Sequence, residues 1–115
     1  MRAQQAWVML GAHVKYVNKP LTYGELAKQM GLGRRGPMIL GPILTIIGRY
    51  CIENELPALN CIVIAEETKT PGPGVVSRYG DWKRDQRDAL KTDWFQFRVP
   101  TTGTLRQVWE EGDDG

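Results

Sequence analysis

An α+β fold of the winged helix-turn-helix type is predicted for this chain of 115 residues. Apolar residues recur at helical spacing in three segments of its first half. A β-branched run, CIVIA at 61–65, then leads through the turn EETKTPGPG to a second short run, VVSRY at 75–79. Two such runs joined by a glycine- and proline-rich turn are typical of a β-hairpin, so we expect a hairpin wing followed by a C-terminal helix.

The first predicted helix begins near the N-terminus. Apolar side chains recur at helical spacing from Ala6 to Tyr16, and Trp7 widens the apolar face. The helix is expected to end by Asn18, because Pro20 follows.

The second predicted helix has clear signals at both ends. Thr22 is a good N-cap, and Glu25 stands three residues later as its capping-box partner. Gly31 is expected to close the helix. Leu21 to Leu32 therefore form a compact helix and turn.

The third predicted helix runs from about Pro37 to Asn54 and stops before Pro57. Pro42 has no N–H to donate at an interior helical position, which leaves two alternatives. Either the helix kinks at Pro42, or the long helix begins there with Gly41 as its cap.

The region after the wing predicts a charged surface helix from about Asp81 to Lys91, with Asp81 as its N-cap. Acidic and basic residues alternate along it, so intrahelical ion pairs are expected. We predict one winged-helix-like domain over residues 1–109 and a solvated acidic tail over residues 110–115.

The distribution of charge favours phosphate contacts by the first half of the chain, and the hydropathy does not favour a membrane protein. Residues 1–60 carry seven Lys or Arg and three Glu, a net charge of +4, against +2 for the whole chain. The first half is therefore the better candidate for phosphate contacts. No apolar stretch is long enough to cross a bilayer, and no signal peptide is evident at the N-terminus. A cytoplasmic protein without a membrane partner is expected.

Catalytic and cofactor chemistry is not favoured. The chain has one histidine and no GxGxxG, phosphate-loop or HExxH motif. Cys51 and Cys61 are isolated, so we expect two buried, unreactive thiols and neither a disulfide framework nor a zinc site. Glu66 and Glu67 would point to opposite faces of a strand and could not easily share a metal ion. No cofactor, metal or catalytic residue is predicted; an enzyme site assembled from distant residues is the alternative.

Three stretches carry a resemblance to a known family: TYGELA at 22–27, PMILGPIL at 37–44 and PALNCI at 57–62. They correspond in order to the helix start, the recognition helix and the PCHRVI motif of the alkylguanine DNA alkyltransferases and their non-enzymatic alkyltransferase-like relatives. The resemblance covers about residues 21–74 and implies a winged helix that binds DNA through the minor groove. The family's reactive cysteine, histidine and arginine would fall at Ala58, Leu59 and Asn60, so alkyl transfer is not expected.

The same resemblance draws attention to Tyr23 and Met38. In the family, the tyrosine matching Tyr23 helps to rotate the phosphate of a flipped nucleotide, and an arginine at the position of Met38 fills the gap in the duplex. Packing beside the helix start is the alternative role for Tyr23. Because the family's wedge and pocket residues are replaced, base flipping is not predicted from the sequence.

Arg34 and Arg35 are the main candidates for DNA contact. They precede a predicted helix N-terminus, where backbone N–H groups favour phosphate and arginine adds bidentate bonds. A solvated turn is the alternative. Gly41 and Gly48 give the third helix a small-residue strip that suits a minor groove or helix packing. The predicted DNA-binding residues are Tyr23, Arg34, Arg35, Met38, Thr45, Arg49 and Lys69.

Two functions of different classes remain open. The first is a small non-enzymatic protein that binds double-stranded DNA through phosphate and the minor groove rather than by reading sequence. The second is a protein-interaction module that acts as an inhibitor or accessory protein. A protein encoded by a phage or mobile element would be one example. The module would bind a protein partner through an exposed patch containing Trp82, Trp94 and Phe97.

Overall fold

The computed structural model describes residues 2–72 and 75–113. Over these ranges the helices are α1 Arg2–Tyr16, α2 Tyr23–Met30, α3 Gly36–Glu53, α4 Trp82–Leu90 and α5 Thr102–Asp113, with 3₁₀ turns at Leu59–Ile62 and Trp94–Gln96. Two short strands, β1 Leu21–Thr22 and β2 Val63–Ile64, pair in parallel with Leu21 opposite Val63. The predicted α+β class is confirmed.

Helix α3 forms the centre of the core. Its residues Leu40, Ile43, Ile47 and Cys51 follow each other at three- and four-residue spacing and are all buried. The helix begins at Gly36 and continues past its internal proline, so the alternative start at that proline is wrong. In the described ranges no helix has the length and apolar character needed to span a bilayer.

Three aromatic rings join α1 to the rest of the core. Trp7 lies edge-on to Tyr50 of α3 and to Trp94, with ring centroids 5.3 and 5.4 Å apart. Trp94 is only 3% exposed, and its indole N–H donates to the carbonyl oxygen of Ala89 at 2.9 Å. Trp94 therefore belongs to the core and adds little exposed area to the patch predicted for a protein partner.

The predicted helix caps are confirmed. The Thr22 hydroxyl accepts a hydrogen bond from the Glu25 N–H, and the Glu25 carboxylate accepts one from the Thr22 N–H, both at 3.1 Å. Gly31 ends α2 with a φ of 71°, in the left-handed region that glycine adopts without strain. Asp81 caps α4 by accepting from the Lys83 N–H at 3.1 Å.

The predicted β-hairpin wing is wrong. Of the run CIVIA, the 3₁₀ turn takes the first two residues, and the strand β2 that follows pairs with β1 instead of with residues 75–79. Those residues form no strand. The loop after β2 closes on itself, because the N–H of Ala65 donates to Thr70 and that of Lys69 donates to Ala65, both at 2.8 Å. Pro73 and Gly74 of the predicted turn lie outside the described residues.

Helix α5 replaces most of the predicted acidic tail. Leu105 and Val108 are buried on its inner face, and Trp109 packs beside them. Thr101 caps the helix by accepting from the Thr104 N–H at 3.1 Å. The helix continues through Asp113, past residue 110 where the acidic tail was predicted to begin. The last two residues of the predicted tail, 114 and 115, lie outside the described ones.

Candidate nucleic-acid interface

A small cleft opens between α2, α3 and the loop that follows β2. Its volume is about 140 Å³. One water needs roughly 10–15 Å³ of such space, so the cleft has room for a single small ring rather than for a drug-sized ligand. The residues that line it are Tyr23, Gly41, Leu44, Thr45, Asn60, Gly72, Val75 and Val76.

Tyr23 holds the loop against α2. Strand β1 ends directly before Tyr23, and pairing with β2 fixes that strand to the part of the chain that leads into the loop. The Tyr23 hydroxyl oxygen accepts a hydrogen bond from the Gly72 N–H at 3.0 Å. A Cβ at Gly72 would lie 2.9 Å from that hydroxyl oxygen, so a larger residue here would displace the Tyr23 hydroxyl.

Asn60 forms the floor of the cleft and is 2% exposed. Its Nδ2 donates to the carbonyl oxygen of Val76 at 2.9 Å, and this bond orients the amide. Its Oδ1 is buried and has no hydrogen-bond partner among the described residues. An unpaired buried acceptor is unfavourable by about 1–3 kcal/mol. Oδ1 lies against Gly48 of α3, so this unfavourable contribution belongs to the packing of the floor on the helix.

Gly48 of α3 allows Asn60 to lie this close to the helix. A Cβ at Gly48 would lie 2.9 Å from Oδ1 of Asn60 and 2.8 Å from Cβ of Val76. The predicted small-residue strip on α3 is therefore used at this position for internal packing rather than as a free surface. Gly41, earlier on the same helix, has no atom within 4 Å of such a Cβ and lines the open cleft.

The predicted cations Arg34 and Arg35 are exposed in the turn before α3. Met38 follows them in the first turn of the helix and is 80% exposed. Met38, Gly41 and Thr45 are three and four residues apart and so share one face of α3. The face of α3 that lines the cleft through Gly41 and Thr45 therefore also bears the exposed apolar side chain of Met38.

Backbone N–H groups at the start of α3 do not offer the phosphate site predicted for them. The N–H groups of Met38 and Ile39 both donate to the carbonyl oxygen of Arg35 at 3.1 Å, and that of Gly36 donates within the turn at 3.1 Å. Pro37 has no N–H. Since these donors are occupied, attraction for an anion comes here from the arginine side chains.

The other predicted contact residues separate into two groups. Thr45 lines the cleft, and its hydroxyl donates to the carbonyl oxygen of Gly41 at 3.0 Å. Arg49 does not line the cleft: its guanidinium lies 6.0 Å from the ring centroid of Trp109 on α5, and its Nη1 is buried. The structure therefore brings Thr45, but not Arg49, together with Tyr23.

Lys69 lies near the start of α2. The pKa of Glu25 is lowered by the backbone and side-chain hydrogen bonds from Thr22, and further by the nearby charges of His13 and Lys69. Lys69 has a φ of 60° in the loop after β2. The loop thus brings one more cation to the side of the molecule that carries Tyr23.

Sequence reasoning missed Asn60 and misplaced Asp85. Asp85 was expected on the solvent face of α4, yet it is fully buried and accepts a hydrogen bond from the Ser77 hydroxyl. Its spacing of four residues from buried Ala89 was the available signal. For Asn60, whose environment comes from α3 and the loop, the sequence carries no comparable local signal.

Neither cysteine is a nucleophile in this fold. Burial raises the pKa of the Cys51 thiol to about 12. Burial, followed by the nearby negative charge of Asp85, raises the pKa of Cys61 to about 12. Thiolate chemistry at neutral pH is therefore unavailable to both. In the described ranges no three His, Cys, Asp or Glu residues are grouped so as to hold a metal ion.

The geometry combines exposed positive charge, an exposed apolar side chain and a small cleft lined by Tyr23, Thr45 and Asn60. These features can hold a polyanion through Arg34 and Arg35 and a small planar group in the cleft. Comparisons with family models, curated proteins and solved structures give no match to the chain.

Proposed function

We propose that the protein binds double-stranded DNA, with Arg34 and Arg35 on the phosphate backbone and the cleft facing the minor groove. The observation that carries the proposal is the cleft itself: Tyr23 and Thr45 line it, and exposed Met38 shares the face of α3 that carries Thr45. The resemblance of TYGELA and its neighbouring motifs to DNA alkyltransferases supports the same function.

Electrostatics favour this face for a polyanion. The arginines at 34 and 35 are exposed, and Lys69 adds positive charge beside α2. Arginine binds phosphate oxygens through two parallel hydrogen bonds, and release of counterions from DNA supplies the free energy. Such contacts position the protein without selecting a base sequence.

Met38 and the cleft add two proposed contacts to this binding mode: a side chain inserted into the minor groove and a pocket for a base. Apolar side chains that enter the minor groove unstack a base step and bend the duplex. A base released from the stack needs a pocket, and a cleft of about 140 Å³ beside Tyr23 is of a suitable size for one ring. The proposal thereby extends the sequence prediction, which did not include an extruded base.

The experiment is a titration of a labelled duplex by fluorescence anisotropy over a series of salt concentrations. Each arginine–phosphate contact contributes about 0.9 to the slope of log K against log salt, so Arg34→Ala with Arg35→Ala is expected to reduce the slope by about 1.8. The matched control is Lys91→Ala with Arg106→Ala, which removes two exposed cations from other elements of the fold, the end of α4 and α5. The control should change the slope by less than half as much. Failure to bind a duplex at low salt would contradict the proposal.

A mismatched duplex tests the cleft separately from the phosphate contacts of Arg34 and Arg35. A mispaired base leaves the stack more easily, so the wild type is expected to bind the mismatched duplex more tightly than the paired one. Met38→Ala should reduce this preference while leaving the salt slope unchanged, because it removes the wedge and no charge. Equal affinity of the wild type for both duplexes would show that the cleft receives no base.

A further inference from the structure

A second surface lies between α1 and the segment that follows α4. It is an apolar groove of about 100 Å³, and its lining residues are Trp7, Val8, Gly11, Trp94, Phe95, Phe97 and Val99. Val8, Phe95 and Val99 are 44%, 51% and 40% exposed, respectively. None of these residues lines the cleft described above. The groove is thus a separate exposed apolar site.

Positive charge surrounds this groove. The Lys15 ammonium lies 5.7 Å from the ring centroid of Phe95, and Arg2 borders the adjoining surface together with Val8 and Val99. Arg98 is exposed within the same segment. Neither α1 nor residues 94–101 of this segment contain an Asp or Glu.

Asp93 is the carboxylate at the edge of this surface. One of its oxygens accepts a hydrogen bond from the Phe95 N–H at 3.1 Å, so it serves the local turn. It leaves the cations at the other positions of the rim available to a partner. The groove therefore has an apolar floor and a rim that is complementary to negative charge.

We propose that this groove docks an amphipathic helix of a partner protein, with apolar side chains in the groove and carboxylates facing Arg2, Lys15 and Arg98. A helix laid in an apolar groove is a recurring mode of peptide recognition. The chain's own acidic segment, at the end of α5, does not suit the role in a second copy, because its apolar residues Leu105 and Val108 are buried in the core. The proposal does not depend on DNA binding.

The test uses a labelled synthetic helical peptide with leucines on one face and glutamates on the other. Two comparison peptides carry lysine in place of glutamate, or the same residues in scrambled order. We expect the acidic amphipathic peptide to bind and both comparison peptides to bind at least about tenfold more weakly, equivalent to 1.4 kcal/mol.

Variants locate the binding surface. Val8→Glu is expected to weaken binding about tenfold, as the loss of one central apolar anchor would. Val17→Glu is the matched control, because Val17 is 51% exposed but does not line the groove, and it should leave the affinity within about twofold. Thermal unfolding of both variants verifies that each remains folded.

Several outcomes would overturn the proposal. These are no binding of the acidic peptide, equal binding of the lysine or scrambled peptide, and equal effects of the two valine variants. Competition by duplex DNA would place the peptide at the cleft instead. Binding of anionic phospholipid vesicles that requires Val8, without binding of the peptide, would identify a lipid contact. Self-association abolished by Val8→Glu would identify a second copy as the occupant.

Discussion

Replacing Gly48 with alanine should destabilise the protein, although alanine favours helices over glycine. The added methyl carbon would lie 2.8 Å from Cβ of Val76 and 2.9 Å from both Cγ and Oδ1 of Asn60. Separations this short force the loop or the Asn60 side chain to move. The hydrogen bond from Asn60 to Val76 would then be strained or broken.

The size of the effect follows from three contributions. Overpacking of a closed site is unfavourable by about 1–3 kcal/mol. Loss of the Asn60–Val76 hydrogen bond adds about 0.5–1.5 kcal/mol, and the helix propensity of alanine returns about 1 kcal/mol. We therefore expect a net loss of about 0.5–3.5 kcal/mol in the free energy of unfolding, whose middle value lowers the urea midpoint by roughly 1 M.

Gly41→Ala is the matched control on the same helix. Apart from its chain neighbours, nothing lies within 4 Å of a Cβ at Gly41, so the variant lacks the overpacking expected at Gly48. A side chain before Pro42 disfavours the helical conformation and offsets the gain in helix propensity, so the stability should stay within about 1 kcal/mol of the wild type. Urea denaturation followed by tryptophan fluorescence measures both variants. If Gly48→Ala proves as stable as the wild type, Asn60 and Val76 do not pack against α3, and the described floor of the cleft is incorrect.

Three further predictions concern the caps and the thiols. Thr22→Ala should lower stability by about 1 kcal/mol in urea denaturation, because it removes the side-chain acceptor for the Glu25 N–H; an unchanged midpoint would contradict the capping box. The folded-state pKa of Glu25 is lowered from its ordinary value of 4.5, so its contribution is complete above that pH and is lost as the pH falls through the folded-state pKa. Glu25→Gln should therefore lose less stability on acidification than the wild type, and parallel urea midpoints for the two proteins would refute this. Iodoacetamide at mildly alkaline pH should leave Cys51 and Cys61 unmodified in the native protein and alkylate both in urea, as mass spectrometry would show; rapid native modification would contradict their burial.

Signals that act over one helical turn predicted structure well. The capping box of Thr22 and Glu25, the terminal Gly31 and the cap Asp81 all lie where the sequence indicated. Each of them satisfies backbone N–H or carbonyl groups within a few residues, so the outcome depends little on the rest of the fold. Helix α5 was missed because its acidic end outweighed the helical spacing of its buried residues.

Features that depend on distant contacts could not be predicted. Strands of two residues have no period to detect, and the parallel pairing of Leu21 with Val63 joins remote parts of the chain. The burial of Asp85 and the packing of Arg49 against α5 are likewise set by neighbouring elements. The cleft combines α2, α3 and the loop after β2, which is why Asn60 was missed although Tyr23 and Thr45 were identified.

Backbone amide NMR during titration with a short duplex tests the central proposal, DNA binding at the cleft, most directly. We expect the largest shifts in Tyr23, in residues 34–45 and around Gly72, with little change in α1 and residues 95–99. Shifts centred on α1 and residues 95–99, or none at saturating duplex, would contradict DNA binding at the cleft.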